Sequence, residues 1–142
     1  MSRINAVIVA EGVSVDAFTG RVTAFNMLDS LFVPRVPAAL PKLHIVVSNE
    51  REIEDERFFE RVVIKTASGQ EVAATNPVEV HFALRFHMAL HTLWGVRFDA
   101  VGVFAVEVQR RPSESAPWSV AFARTLLTQL APHPLMPVAK TA

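Results

Sequence analysis

Apolar and polar residues alternate along most of the chain, in short segments separated by turn residues. The segments KLHIVVSN (42–49), RFFERVVIKT (57–66) and VGVFAVEVQ (101–109) place apolar side chains at every second position. That spacing has the period of a β-strand, and the turn ASGQ (67–70) is typical of a hairpin. We therefore expect an all-β fold, an antiparallel β-sandwich of about seven to nine strands with a jelly-roll or immunoglobulin-like arrangement.

The length of 142 residues indicates one domain. We expect residues 1–130 to form the sandwich and the proline-rich segment APHPLMPVAKTA (131–142) to be a C-terminal tail. The last apolar segment, WSVAFARTLLTQL (118–130), is open between strand and helix, because its Ala, Leu and Arg residues also suit a helix.

The longest alternating segment covers residues 78–94. Its even positions are mostly apolar: Val80, Phe82, Leu84, Phe86, Met88, Leu90, Thr92 and Trp94. Four basic residues occupy odd positions: His81, Arg85, His87 and His91. The period predicts one long strand with its even side chains in the core and these four on the opposite face. Helix propensity favours the alternative, but a buried helix here would leave charged groups without partners.

The choice between strand and helix decides whether the histidines can bind a metal. On a strand, His81 and His87 lie roughly 20 Å apart, and His87 and His91 about 13 Å. One zinc ion cannot bridge such distances. Even on a helix, HMALH lacks the glutamate of the H-E-x-x-H motif, since Met88 takes its place. We therefore expect no metal site and no cofactor.

Two charged segments remain as candidate surfaces. The face with His81, Arg85, His87 and His91 could bind a ligand, form a dimer interface or make a pH-sensitive contact. The segment NEREIEDERFFER (49–61) is rich in both signs of charge, and we expect a solvated loop with weak surface ion pairs.

Composition excludes several classes of function. Fourteen basic and fourteen acidic residues give no net charge, which argues against binding nucleic acid or an anionic membrane. The chain has no cysteine and no nucleophile elbow, P-loop or dinucleotide motif, so we do not expect an enzyme. MSRINAVIVAEG lacks the pattern of a signal peptide, which predicts a cytoplasmic protein.

The segment AEGVSVDAFTGRVTAFNMLDSL (10–31) resembles the opening of a bacterial family known only as a domain of unknown function. The turn SGQE (68–71) and the segment 98–108, with Gly102 before an alternating strand, are similar to features of the same family. The resemblance implies a compact β-sandwich and carries over no catalytic residue.

The functional prediction is a non-enzymatic binding or assembly module. Its apolar fraction of 51% favours a homo-oligomer or a complex with a protein partner, which the sequence does not identify. The alternative is a small-ligand binding or hydrolytic domain that uses the face of His81, Arg85, His87 and His91. In that alternative Arg85 would hold an anion, and a histidine would act as acid or base.

Overall fold

The computed structural model describes residues 1–132, so the predicted tail lies outside the described residues beyond Pro132. This part of the chain forms ten β-strands: β1 Arg3–Val15, β2 Val22–Met27, β3 Ser30–Val33, β4 Ala38–Glu50, β5 Arg57–Thr66, β6 Glu71–Ala74, β7 Val78–His81, β8 Phe86–Phe98, β9 Gly102–Arg111 and β10 Ser119–Leu130. The described residues include no helix that could cross a membrane.

The strands form two sheets. One has four strands in the order β2-β1-β4-β8, and the other has six, in which β3-β10-β9-β5-β6 are neighbours and β7 also pairs with β5. All pairs are antiparallel except β3 with β10. The predicted all-β sandwich is confirmed, with ten strands rather than seven to nine, because the segments 21–33 and 78–94 each divide into two strands. The open segment 118–130 is a strand, β10.

The core lies between the inner faces of the two sheets. Alternate residues of the central strands supply it, including Val7, Val9, Leu43, Ile45, Val47, Val62, Ile64, Val106 and Val108. Burying one such side chain contributes about 1.5–3 kcal/mol. The inward positions are those that the alternation predicts for 42–49 and 101–109.

The prediction of one strand over residues 78–94 is wrong. β7 pairs with β5 in the six-stranded sheet, residues 82–85 leave regular structure, and β8 pairs with β4 in the four-stranded sheet. The buried positions change from even to odd across this break: Val80 and Phe82 before it, and Ala89, His91 and Leu93 after it. A chain that crosses between two facing sheets must turn its other face inwards to keep contact with the same core.

A two-stranded arm extends from the four-stranded sheet. The pairing of β1 with β4 ends where Ala10 lies opposite His44, and from there to Val15 the residues of β1 pair only with β2. We call residues 11–27 the arm. A two-stranded ribbon has little stability of its own, so the turn at its tip needs local hydrogen bonds.

Candidate functional site

The turn at the arm tip, DAFTG (16–20), is held by its own hydrogen bonds. Asp16 Oδ1 accepts hydrogen bonds from the backbone N–H of Phe18 at 2.9 Å, from the N–H of Thr19 at 2.8 Å and from the Thr19 hydroxyl at 3.0 Å. These bonds from Thr19 and Phe18 hold the pKa of Asp16 below its ordinary value. Gly20 closes the turn at a φ of 68°, which glycine adopts without strain.

This ordered turn presents Phe18 to solvent. The side chain is 99% exposed, although phenylalanine is normally among the most buried residue types. The backbone N–H of Phe18 is bonded to Asp16, so the turn fixes the backbone conformation from which the ring projects. A rigid turn with a fully exposed aromatic ring at its tip is suited to contact with another molecule.

A hollow of about 370 Å³ lies beside the arm tip. Thr19, Gly20 and Arg21 line it from the arm, and Leu84, Phe86 and Met88 line it from the β7–β8 connection and the start of β8. The side from the β7–β8 region is therefore largely apolar. The volume lies in the range of about 300–1,000 Å³ that is usual for binding pockets.

Three large apolar side chains that line this hollow are exposed, and so is Phe18, which directly precedes the arm residues that line it. Phe18 is 99% exposed, Leu84 74%, Phe86 59% and Met88 51%. We call these four residues the apolar patch. Single exposed apolar residues are ordinary, but a contiguous group of large ones marks a surface that meets another molecule.

The four predicted site residues do not share one face. His81 lies in the six-stranded sheet, whereas His87 and His91 point to the inner side of the four-stranded sheet, and Arg85 lies in the connection between them. The prediction of a single basic face is wrong, because the break at 82–85 moves the chain from one sheet to the other. His81 and His87 nevertheless line the same hollow.

His87 is partly enclosed below the hollow. Its ring meets the edge of the Phe82 ring at a centroid distance of 5.7 Å, and its buried Nδ1 atom has no hydrogen-bond partner among residues 1–132. Burial lowers the pKa of His87, while the charge of Glu60 acts in the opposite direction. His81 is more exposed, and its Nε2 atom lies 4.0 Å from Asp55 Oδ1.

Arg85 is held by a carboxylate. Its Nε donates to Glu50 Oε1 at 2.8 Å, and Arg3 pairs with the other oxygen of the same group. Hydrogen bonds from Arg85 and then Arg3 lower the pKa of Glu50. The Arg85 guanidinium, which the alternative functional prediction assigns to an anionic ligand, is thus paired with a carboxylate of the chain itself.

A second polar cluster lies inside the sandwich, and sequence reasoning missed it. Glu60 accepts a hydrogen bond from His91 Nε2 at 2.9 Å and one from Arg110 Nε at 2.9 Å. Arg110 also donates to the Ser2 carbonyl at 2.7 Å and to Asn49 Oδ1 at 2.5 Å. The side chains of Glu60 and His91 have no exposed surface, so a substrate cannot reach them without opening the core.

The sequence contains a signal for this buried cluster. Glu60 occupies the inward phase of β5 after Phe58, and Arg110 occupies the inward phase of β9 after Val108. A charge in the inward phase of a strand indicates a buried charge that needs a partner, and the register of the structure places Glu60 opposite Arg110. The prediction of a solvated loop over 49–61 is therefore wrong for Asn49 and Glu60, which are buried.

The spacing of the His, Asp and Glu side chains determines whether they could hold a metal ion. Within residues 1–132, no three His, Asp or Glu side chains lie close enough together to hold one metal ion. The cluster around Glu60 instead pairs one carboxylate with a guanidinium and an imidazole, which is an arrangement that satisfies buried polar groups.

Comparison with known proteins informs the fold only. No family model matches the chain, and no curated protein sequence matches it, so the resemblance to a family of unknown function stays a prediction. Among solved structures, the C-terminal domain of Wzt is similar, with a TM-score of 0.51 and 10% sequence identity over 90% of this chain and 73% of that one. At this identity the likeness shows a shared β-sandwich fold and does not extend to function.

Proposed function

We propose that this protein is a non-enzymatic binding and assembly module that forms homo-oligomers through the apolar patch. The observation that carries the proposal is the exposure of Leu84, Phe86 and Met88, which line one hollow, and of Phe18 next to the arm residues that line it. Removing such side chains from water favours association, and the freedom of motion lost on binding offsets much of this gain. A cytoplasmic location remains part of the proposal, on the reasoning from the sequence.

The size of the patch supports a weak to moderate association. A whole aromatic side chain presents roughly 150–250 Å², so the exposed fractions of the four side chains amount to roughly 500 Å² for one copy. Two copies would bury roughly 1,000 Å² together, which is at the lower end for specific interfaces. We expect an oligomer that dissociates on dilution, with a dissociation constant of roughly micromolar order.

Two contacts support this proposal over the ligand-binding or hydrolytic alternative. His91 is enclosed and bonded to Glu60, so it does not reach the surface, and an anionic ligand would have to compete with Glu50 for the exposed Arg85 guanidinium. The remaining two residues of that alternative, His81 and His87, line the hollow beside the apolar patch.

Sedimentation velocity over about 1–100 µM tests the proposal, because that range spans the expected dissociation constant. The double variant Phe86→Ser/Met88→Ser should shift the distribution towards monomer. Its matched control is Val103→Ser/Val120→Ser, which removes two side chains of similar exposure, 53% and 52%, from the six-stranded sheet. A wild-type protein that stays monomeric throughout, or equal behaviour of both variants, would contradict the proposal.

A further inference from the structure

We infer that the partner of the apolar patch is a second copy of this chain, and that Phe18 of each copy inserts into the hollow of the other. The inference rests on the proposed function and names its contact. It makes Phe18 the anchor of a two-fold symmetric interface, in which both copies supply the same inserting side chain and the same receiving hollow.

Phe18 lies next to the hollow without lining it. Phe18 precedes Thr19, Gly20 and Arg21, which line the hollow, yet its own side chain is 99% exposed. The chain therefore carries an exposed aromatic ring and an apolar hollow side by side. A two-fold axis that passes between them makes both contacts at once, so one surface complements itself without a second kind of protein.

The arm tip has a fixed backbone. Three hydrogen bonds to Asp16 Oδ1 fix the turn, and the backbone adds a bond from Gly20 N–H to the Asp16 carbonyl at 2.9 Å. A turn whose backbone is already ordered loses less conformational freedom on association than a flexible loop does. Covering the exposed Phe18 ring with a partner removes its apolar surface from water.

The residues that line the hollow suit an aromatic ring. Leu84, Phe86 and Met88 offer apolar and sulfur contacts to an entering ring, and Met–aromatic contacts are favourable. Arg21 at the rim supplies a cation, which suits the face of an aromatic ring. The formal net charge of zero means that two copies do not repel each other over long range.

Cysteine cross-linking tests the contact directly, because the chain has no cysteine of its own. One protein carries Phe18→Cys and the other carries Leu84→Cys, and the two are mixed and oxidised. We expect a disulfide-linked pair of the two variants, since a disulfide needs Cα atoms within about 7 Å. The matched control replaces Leu84→Cys by Val103→Cys, which lies on the six-stranded sheet and should give no such product.

A second experiment measures the strength of the contact. Phe18→Ala should weaken self-association by about 30-fold or more, as truncation of a buried aromatic anchor commonly does. Val15→Ala, also on the arm and 53% exposed, should leave association unchanged. Both side chains are exposed, so neither substitution should affect folding, which the thermal unfolding curves of the two variants will verify.

The outcomes separate this inference from the proposed function. A wild-type protein that is monomeric at all concentrations overturns both. If Phe86→Ser/Met88→Ser disrupts an oligomer that Phe18→Ala leaves intact, and the mixed cysteine variants link no better than the control pair, the proposed function stands and the inserted Phe18 is overturned. Loss of the oligomer in Phe18→Ala together with the specific cross-link supports the inference.

Discussion

The buried pair of Glu60 and Arg110 gives the sharpest test of how the sandwich is held together. The change is Glu60→Gln, which keeps the size of the side chain and removes its charge. Glu60 Oε2 accepts the hydrogen bond of Arg110 Nε at 2.9 Å, and the two side chains are at most 2% exposed. After the substitution, Arg110 keeps its neutral acceptors, the Ser2 carbonyl and Asn49 Oδ1, but loses its carboxylate.

The expected cost is large because the guanidinium charge remains buried. Removing one partner of a buried ion pair commonly costs about 3–5 kcal/mol. The total free energy of unfolding of a domain is about 5–15 kcal/mol, so Glu60→Gln should remove a substantial share of it. The contact of Arg110 with the Phe58 ring, at 4.4 Å, exists before and after the substitution and therefore does not change the expected loss.

A double-mutant cycle measures the coupling between the two charges. Arg110→Met replaces the guanidinium with an apolar side chain, and the double variant Glu60→Gln/Arg110→Met contains neither charge. We expect the double variant to be more stable than the sum of the two single losses predicts, by about 2 kcal/mol or more. Urea unfolding followed by the fluorescence of Trp94 and Trp118 gives the four free energies.

Two results would refute this reasoning. A loss of less than about 1 kcal/mol for Glu60→Gln would mean that water or rearrangement relieves the unpaired Arg110. Additive effects in the cycle would mean that Glu60 and Arg110 do not stabilise each other, whatever their separation.

Three further predictions concern protonation, the link between the sheets and a turn. Burial lowers the pKa of His44 and of His87, so the unfolded chain takes up protons more readily, and stability should fall as pH drops through about 6.5. The melting temperature should be lower at about pH 5.5 than at about pH 7.5, and the double variant His44→Gln/His87→Gln should show a smaller difference. An equal difference in the wild-type protein and the variant would contradict this prediction. Arg124→Ala should lower the free energy of unfolding, measured in urea, by about 1.5–3 kcal/mol, because the guanidinium donates to backbone carbonyls of β1 and of the β2–β3 link. Equal stability of the variant would show that water replaces these bonds. Gly69→Ala should lower the free energy of unfolding by about 1 kcal/mol or more, since Gly69 has a φ of 89°. In the control variant Gly12→Ala, the added methyl group meets only ordinary contacts. Equal melting temperatures of the two variants would exclude backbone strain at the turn.

Alternation predicts the burial of side chains where a strand stays within one sheet. Leu43, Ile45 and Val47 in β4 point inwards as expected, because neighbours on both sides keep the strand in register with the core. In the same strand, His44 lies on the other face and bonds to Thr92 at 3.0 Å. The all-β class and the turn at 67–70 could be predicted for the same reason, since both depend on local period and turn chemistry.

Contacts between distant segments could not be predicted in this way. Glu60 and Arg110 are 50 positions apart, and nothing local to either strand shows that they become neighbours. The break at 82–85 is equally hidden, because Leu84 and Phe86 continue the even apolar series through it. The alternation is therefore unbroken in the sequence while the backbone changes sheets.

The positions at which alternation fails carry information about function. After the break, the even residues Phe86, Met88 and Trp94 are exposed, although their side chains would suit a core. Phe18 is also exposed, although it is a large apolar residue. It contributes only its backbone N–H to the turn, so a polar residue at this position would make the same hydrogen bond without exposing an apolar ring to water. Departures from local consistency are expected at functional sites. Since two of these departures, Phe86 and Met88, line the hollow and Phe18 directly precedes the arm residues that line it, an interface that covers them accounts for the failed burial prediction and for the exposed ring at the arm tip together.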